Sequence, residues 1–208
     1  MASAVNSLKE STSSYTEALM PLNLPNLLTW LRILMIPLLV AVFYAPHDWI
    51  ADHNKNLAAT VIFSFAAITD WLDGYLARAL NQGSAFGAFL DPVADKLMVA
   101  TALIMLVQSE DLEGFIAVII IGREIAISAL REWMARLGRS KSVAVSFIGK
   151  VKTVAQMTAI IMLLYRGELL GLSMYAIGTF LIWLAAILTL WSMAYYLKMA
   201  WPELRDHD

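Results

Sequence analysis

Two acidic stretches lie within otherwise apolar sequence: TDWLDGYLAR at residues 69–78 and DPVADK at residues 91–96. In an α-helix with 3.6 residues per turn, Asp70 and Asp73 fall on one face. An Asp side chain costs at least about 2.5–3.5 kcal/mol in the middle of a membrane, and less near its surface. Acidic residues in such segments are therefore interpreted as functional residues.

The composition is that of a membrane protein. Of the 208 residues, 60% are hydrophobic and 15% are charged, and the mean hydropathy is +0.66. Soluble domains are roughly 45–50% apolar and about 25% charged, which argues against a soluble enzyme and against a disordered chain. A net charge of −2 argues against a nucleic-acid partner. Because cysteine is absent, disulfides, thiolate metal sites and cysteine nucleophiles are excluded.

A bilayer core of about 30 Å is crossed by roughly 20 apolar residues in a helix. Six segments qualify, some with charges inside them: residues 26–45, 57–77, 92–108, 114–133, 144–165 and 172–197. We expect an all-α, polytopic membrane protein with six transmembrane helices. Residues 1–21 are expected to form a tail or an interfacial helix, residues 22–200 the catalytic domain and residues 201–208 a C-terminal tail.

Lys and Arg residues accumulate on the cytoplasmic side of membrane proteins and indicate orientation. With the N-terminus in the cytoplasm, the outer loops carry only Lys55 and Arg166. The inner segments then carry Lys9, Arg78, Arg131, Arg136, Arg139, Lys141, Lys198 and Arg205. We therefore expect both termini on the cytoplasmic side.

The second acidic stretch is expected at the same end of the bundle as the first. Asp91 and Asp95 are four residues apart and share a helix face. Asp91 is a favourable N-cap and Pro92 suits the first helical position, so we expect the third helix to begin there. Four converging carboxylates repel one another unless they are protonated or bind metal. Oxygen ligands suit Mg²⁺ or Mn²⁺, and four acids can hold two ions that bridge phosphate oxygens.

The residues around the acids favour a diphosphate ligand. Gly74 adds no side chain to the acidic face, so a ligand can approach the backbone there. Arg78, at the edge of that face, is placed to bind a diphosphate oxygen. These features predict a metal–diphosphate site that opens to the cytoplasm.

A second, basic group lies in the fourth and fifth segments and comprises Arg123, Lys150 and Lys152. The phosphate of a second substrate would satisfy these charges, and ion pairs between helices are the alternative. Glu124 points about 100° away from Arg123 on a helix, which predicts a poor partner. Arg136 is assigned to the ordinary positive charge of a cytoplasmic loop.

The acidic residues also carry a resemblance to a known family. The pattern Asp70-x-x-Asp73-Gly74-x-x-Ala77-Arg78, eight residues, then Gly87-x-x-x-Asp91-x-x-x-Asp95 is similar at every fixed position to the signature of CDP-alcohol phosphotransferases. Further similar segments are NLPNLLT at 23–29, FGAFLDPVAD at 86–95, REIAISALREW at 123–133 and SVAVSFIGKVKT at 142–153. The resemblance extends over about residues 22–196.

This resemblance implies a six-helix homodimer among the lipids of a bacterial inner membrane, with its active site facing the cytoplasm. It implies that CDP-diacylglycerol donates its phosphatidyl group to sn-glycerol 3-phosphate and that CMP is released, with two Mg²⁺ or Mn²⁺ ions as cofactors. Within the family, the alternative is a different acceptor, such as inositol phosphate, serine or phosphatidylglycerol.

The family motif also implies roles for individual residues. Asp70, Asp73 and Asp91 are expected to bind metal, and Asp95 to act as the general base and also to touch metal. The residues expected to bind the CDP-lipid are Asn26, Thr29, Asp70, Gly74, Ala77, Arg78 and Gly87. The residues expected to bind the acceptor phosphate are Arg123, Lys150 and Lys152.

Two other classes of membrane protein place acidic residues in helices. An intramembrane prenyltransferase also binds magnesium and a diphosphate, but would show two separated acidic motifs on more helices. A divalent-cation transporter needs acidic residues along its path, whereas the outer halves of the second and third segments contain none. Release of CMP from CDP-lipid and glycerol 3-phosphate is expected of a CDP-alcohol phosphotransferase but not of a prenyltransferase or a cation transporter.

Overall fold

The computed structural model describes residues 24–80, 85–136 and 147–205. Their helices are α1 Leu24–Tyr44, α2 Asp52–Leu80, α3 Ala85–Gln108, α4 Gly114–Arg136, α5 Phe147–Tyr165 and α6 Met174–Arg205. A short antiparallel hairpin, β1 Glu168–Leu169 and β2 Leu172–Ser173, joins α5 to α6. The all-α fold class is confirmed for these residues, and each helix overlaps one predicted segment. The predicted tail at residues 1–21 lies outside the described residues.

Two of the helices are long and apolar enough to cross a membrane by composition: Asn26–Tyr44 of α1 and Met174–Met199 of α6. Helix α5 contributes a shorter apolar run, Val151–Tyr165. Helices α2, α3 and α4 carry charged residues within or beside their apolar stretches. A crossing of the membrane by all six helices therefore stays a prediction. Helix α6 continues to Arg205, within the segment that was expected to be a tail.

The prediction that α3 begins at Asp91 is wrong, because α3 begins at Ala85 and Pro92 lies inside the helix. A proline removes one backbone hydrogen bond. The packing of α3 against α1, α2, α4 and α5 offsets this loss. The carboxylate of Asp91 does not cap the helix; it accepts a hydrogen bond from the Thr29 hydroxyl of α1.

The helices pack into one bundle. Helix α1 packs on α2 and α3, helix α5 lies against α6, α2 and α3, and helix α4 contacts α3 and α6. The largest buried apolar side chains of the core include Leu39, Phe63, Leu103, Leu106, Ile116, Ile120, Ile160 and Leu163. This core extends from Ala66 and Met98, about one helical turn from Asp70 and Asp95, toward the other end of the bundle, and it fixes the relative positions of α1, α2 and α3.

Large apolar side chains also cover the outside of the bundle. Leu34, Val118, Phe180 and Trp191 are all largely exposed. Soluble monomers rarely expose contiguous apolar patches of more than a few hundred square ångströms. The pattern fits helices whose surroundings are lipid.

A buried ion pair ties the ends of three helices together at the end of the bundle opposite the acidic stretches. Asp111, in the connection between α3 and α4, pairs with Arg166 at the end of α5. The Ser109 hydroxyl donates a hydrogen bond to the same carboxylate at 2.7 Å. Because the Asp111 side chain is only 4% exposed, we interpret this cluster as one that stabilises the packing of the three helix ends.

Candidate active site

The acidic end of α2 is paired with a buried cation from α1. Nη1 of Arg32 lies 2.8 Å from Oδ1 of Asp70. Arg32 is 1% exposed, whereas the Asp70 side chain is 42% exposed. Arg32 lies outside the family signature and was not among the predicted site residues. The structure places it as the group that orients Asp70.

The same face of α1 also meets α3. Asn26, Thr29 and Arg32 recur at intervals of three, so they line one side of the helix, and all three are buried. The Thr29 hydroxyl donates its hydrogen bond to Asp91, and Gly87 of α3 is also buried. Helix α1 therefore contacts both acidic stretches, and the role of Asn26 and Thr29 in binding the CDP-lipid stays a prediction.

Three of the four acidic residues come close enough to interact. Asp70 interacts electrostatically with Asp91, and Asp95 interacts with Asp70. Among the side chains that the structure describes, no group of three carboxylates or imidazoles is close enough to form a ready-made metal site. The Asp73 side chain lies outside that description. The continuous helix α2 puts Asp73 on the same face as Asp70.

Several other predicted site residues lie outside the described side chains. They are Ala77 and Arg78 of α2 and Lys150 of α5, and Gly74 also belongs to this part of α2. Their backbone is helical, as predicted. Their roles stay predictions.

Arg123 and Lys152 form one network with Glu124. Nη1 of Arg123 lies 3.0 Å and Nζ of Lys152 lies 3.2 Å from the same oxygen, Oε2 of Glu124. Nη2 of Arg123 also donates to the Ser192 hydroxyl of α6 at 3.2 Å. Both cations are buried. Two positive charges share one negative charge, so the network keeps a net positive charge that can attract an anion.

The prediction that Glu124 is a poor partner for Arg123 is wrong. Their Cβ atoms do point about 100° apart on α4. Both side chains are long and flexible, however, so their charged ends meet beside the helix. Burial adds a reason, because a buried guanidinium without a counter-charge is costly.

A cavity of about 140 Å³ lies between α3, α4 and α5. Its wall includes Asp95 of α3, Glu124 of α4, and Lys152, Thr153 and Gln156 of α5. Asp95 also lines a much smaller cavity, whose wall includes Arg32. Asp95 therefore stands between the acidic residues and the basic network. Neither Gln156 nor Glu124 was among the predicted site residues. Glu124 was considered only as a partner of Arg123, and Gln156 lies outside the segments quoted for the family resemblance.

Known proteins match nearly the whole chain. The model of the CDP-alcohol phosphatidyltransferase family matches residues 22–191. A protein of Escherichia coli strain K12, named CDP-diacylglycerol--glycerol-3-phosphate 3-phosphatidyltransferase, is 51% identical over 189 residues. Proteins of the same name from Salmonella choleraesuis and Shigella flexneri serotype 5b are 51% and 50% identical. Each alignment covers 90% of this chain and 100% of the relative.

Proposed function

This chain belongs to the CDP-alcohol phosphatidyltransferase family, and we propose that it transfers the phosphatidyl group of CDP-diacylglycerol to sn-glycerol 3-phosphate. The products are phosphatidylglycerophosphate and CMP. The proposal is supported by relatives of about 50% identity whose names state this reaction. The structural observation that carries it is the position of Asp95, between the acidic residues and a cavity whose wall includes Lys152 and Glu124 of the basic network.

The acidic residues fit a divalent metal. Their donors are carboxylate oxygens without nitrogen or sulfur, which is the ligand type that Mg²⁺ and Mn²⁺ prefer. Asp70, Asp73, Asp91 and Asp95 would hold the metal, two ions in our proposal. When bound, the metal would neutralise charge on the diphosphate and on departing CMP.

The donor belongs on the side of the site where α1, α2 and α3 meet. Asn26, Thr29 and Gly87 are buried there, and Gly74, Ala77 and Arg78 follow Asp70 on α2. Arg78 would bind a diphosphate oxygen. The acyl chains would remain in the bilayer beside the exposed apolar surface of the helices.

The acceptor belongs in the cavity between α3, α4 and α5. Its phosphate would bind Lys152 and Arg123, with Lys150 as a further cation. Lys152 has three N–H donors, so it can contact a phosphate while it keeps its bond to Glu124. The net positive charge of the network attracts a dianionic phosphate more strongly than an uncharged alcohol.

Asp95 would take the proton from the attacking hydroxyl as that oxygen approaches phosphorus. The oxygen forms a bond to the phosphorus that carries diacylglycerol, and the bond from this phosphorus to the CMP oxygen breaks. The electron pair leaves with CMP. One displacement completes the transfer, and no covalent enzyme intermediate is needed.

The positive charge of the inner segments supports a bacterial inner-membrane enzyme with cytoplasmic termini and a cytoplasmic active site. In this proposal all six helices cross the membrane and the enzyme is a homodimer. Glu113→Cys, at an exposed position in the connection between α3 and α4, and Arg205→Cys test the orientation, because only the cysteine at position 113 should react with an impermeant thiol reagent in intact cells. Labelling of Arg205→Cys in intact cells would contradict it.

The activity is tested with purified enzyme in detergent, supplied with CDP-diacylglycerol and one candidate acceptor at a time. We expect CMP release with glycerol 3-phosphate but not with inositol phosphate, serine or phosphatidylglycerol. Excess chelator should abolish release, and Mg²⁺ or Mn²⁺ should restore it. Preference for another acceptor would assign the enzyme to a different acceptor class within the family. Full activity in excess chelator would show that the reaction needs no metal.

A further inference from the structure

The cavity between α3, α4 and α5 contains a buried polar group to which the reaction above gives no role. This group is the side-chain amide of Gln156, a residue that is 5% exposed. Among the described residues its oxygen, Oε1, has no hydrogen-bond partner. Burying an amide without a partner costs about 1–3 kcal/mol in proteins. A group that reaches this oxygen from the cavity would remove the cost.

We propose that Gln156 binds the hydroxyl of the acceptor that does not react, and thereby selects a short polyol phosphate. The inference rests on the proposed function, since it places the acceptor in this cavity. A hydroxyl both donates and accepts hydrogen bonds. It therefore satisfies the amide whichever of its two ends faces the cavity.

The spacing along α5 fits an acceptor of this size. Gln156 follows Lys152 by four residues, so both lie on one face of the helix, about 6 Å apart along its axis. Asp95 belongs to the facing wall on α3. A phosphate at Lys152 leaves the carbon chain within reach of Gln156. The three functional groups of glycerol 3-phosphate then have one partner each: Lys152 for the phosphate, Gln156 for the middle hydroxyl and Asp95 for the reacting hydroxyl.

Besides Gln156, the polar residues of the wall are Asp95, Lys96, Glu124, Lys152 and Thr153, and three of them already have a role in the reaction. Glu124 is shared by Arg123 and Lys152, and Asp95 takes the proton. The remaining wall is largely apolar, with Leu97, Val99, Ile120, Ile121 and Met157 among its residues. A buried polar group in an apolar wall discriminates strongly against a ligand that lacks its partner.

The experiment removes the hydroxyl from the substrate and the amide from the enzyme. The acceptors are glycerol 3-phosphate and 3-hydroxypropyl phosphate, which keeps the reacting hydroxyl and the phosphate but lacks the middle hydroxyl. The wild-type enzyme should use the second acceptor about tenfold to a hundredfold less efficiently in kcat/KM. Gln156→Met should lower kcat/KM for glycerol 3-phosphate by a similar factor and leave that for 3-hydroxypropyl phosphate within about threefold.

The matched control is Gln108→Met, the same substitution at the far end of α3. There the glutamine accepts a hydrogen bond from the Tyr44 hydroxyl, away from the cavity. This variant should discriminate between the two acceptors as the wild type does. Equal losses on both acceptors in Gln156→Met would overturn the inference and leave Gln156 as a structural residue.

The wild-type comparison stands even if Gln156→Met does not fold. A wild-type enzyme that uses both acceptors equally well would by itself overturn the role of Gln156. That result would not contradict the proposed transferase activity. An enzyme that releases no CMP with glycerol 3-phosphate would overturn the proposed function first, so the two failures are distinguishable.

Discussion

Arg32 of α1 places its guanidinium 2.8 Å from the carboxylate of Asp70 on α2, and 99% of the Arg32 surface is covered. The pair joins a buried cation to an acidic residue that stands half exposed in the site. Asp70 thereby has a fixed orientation before any ligand binds. Arg32 is a positioning residue in this account, since it acts on the metal and donor through Asp70.

We expect Arg32→Met to lower turnover by at least about tenfold and to destabilise the protein by about 3 kcal/mol. This figure is the lower end of the range for breaking a buried pair, because Asp70 is partly exposed. Activity and apparent Tm in detergent measure the two effects, and Arg32→Lys should recover part of both. Asp52→Asn is the control, since it breaks an exposed pair with His47 and should cost less than about 1 kcal/mol. Normal turnover in Arg32→Met would contradict the positioning role.

Asp95→Asn should abolish most turnover while the binding of CDP-diacylglycerol survives. The amide keeps the size and an oxygen ligand but cannot take a proton at neutral pH. Loss of a general base lowers rates by about 10²–10⁴, and a metal role would add to the loss. Single-turnover kinetics and an equilibrium binding assay separate the two quantities. If the variant turns over within a few-fold of wild type, Asp95 is not the base.

Arg123→Ala and Lys152→Ala should raise KM for glycerol 3-phosphate more than KM for CDP-diacylglycerol. Each loses a hydrogen bond from a charged group to phosphate, worth about 1.5–3 kcal/mol. Steady-state kinetics with each substrate varied in turn measure the change, and Arg136→Ala should do much less. A higher KM for the donor instead would indicate that the network of Arg123, Glu124 and Lys152 binds the diphosphate of CDP-diacylglycerol. A lower Tm with both KM values unchanged would make the network with Glu124 purely structural.

Arg166→Ala should lower stability without changing catalysis. It leaves the buried carboxylate of Asp111 with the Ser109 hydroxyl but without its cation, and breaking a buried pair costs about 3–5 kcal/mol. The apparent Tm should fall, while kcat and both KM values of the enzyme that remains folded stay at wild-type levels. Glu113→Gln, an exposed residue in the same connection, is the matched control. A change in KM for either substrate would show that the cluster of Asp111 and Arg166 is coupled to the active site.

The helices and the acidic residues were predictable because both follow from local patterns. Apolar runs give the helix positions, and the spacing of Asp70, Asp91 and Asp95 gives their faces. The start of α3 was not predictable from local sequence, because Asp91 and Pro92 together form a favourable helix start. In the structure the Asp91 carboxylate instead accepts a hydrogen bond from Thr29 of α1, a tertiary contact that local sequence does not reveal.

The pairing of Arg123 with Glu124 was missed for a different reason. Helix geometry describes where Cβ atoms point, and it does not describe where long side chains end. The role inferred for Gln156 depends on a cavity among three helices, which no pattern along one segment of sequence can reveal.

In the proposed reaction, phosphatidyl transfer to glycerol 3-phosphate is coupled to CMP release. The most direct measurement uses glycerol 3-phosphate labelled in its phosphate, with CDP-diacylglycerol and purified enzyme, and quantifies both labelled lipid and CMP. The label should enter the lipid in an amount equal to the CMP released, and neither product should form without the acceptor. CMP release without labelled lipid, or labelled lipid without CMP, would contradict it.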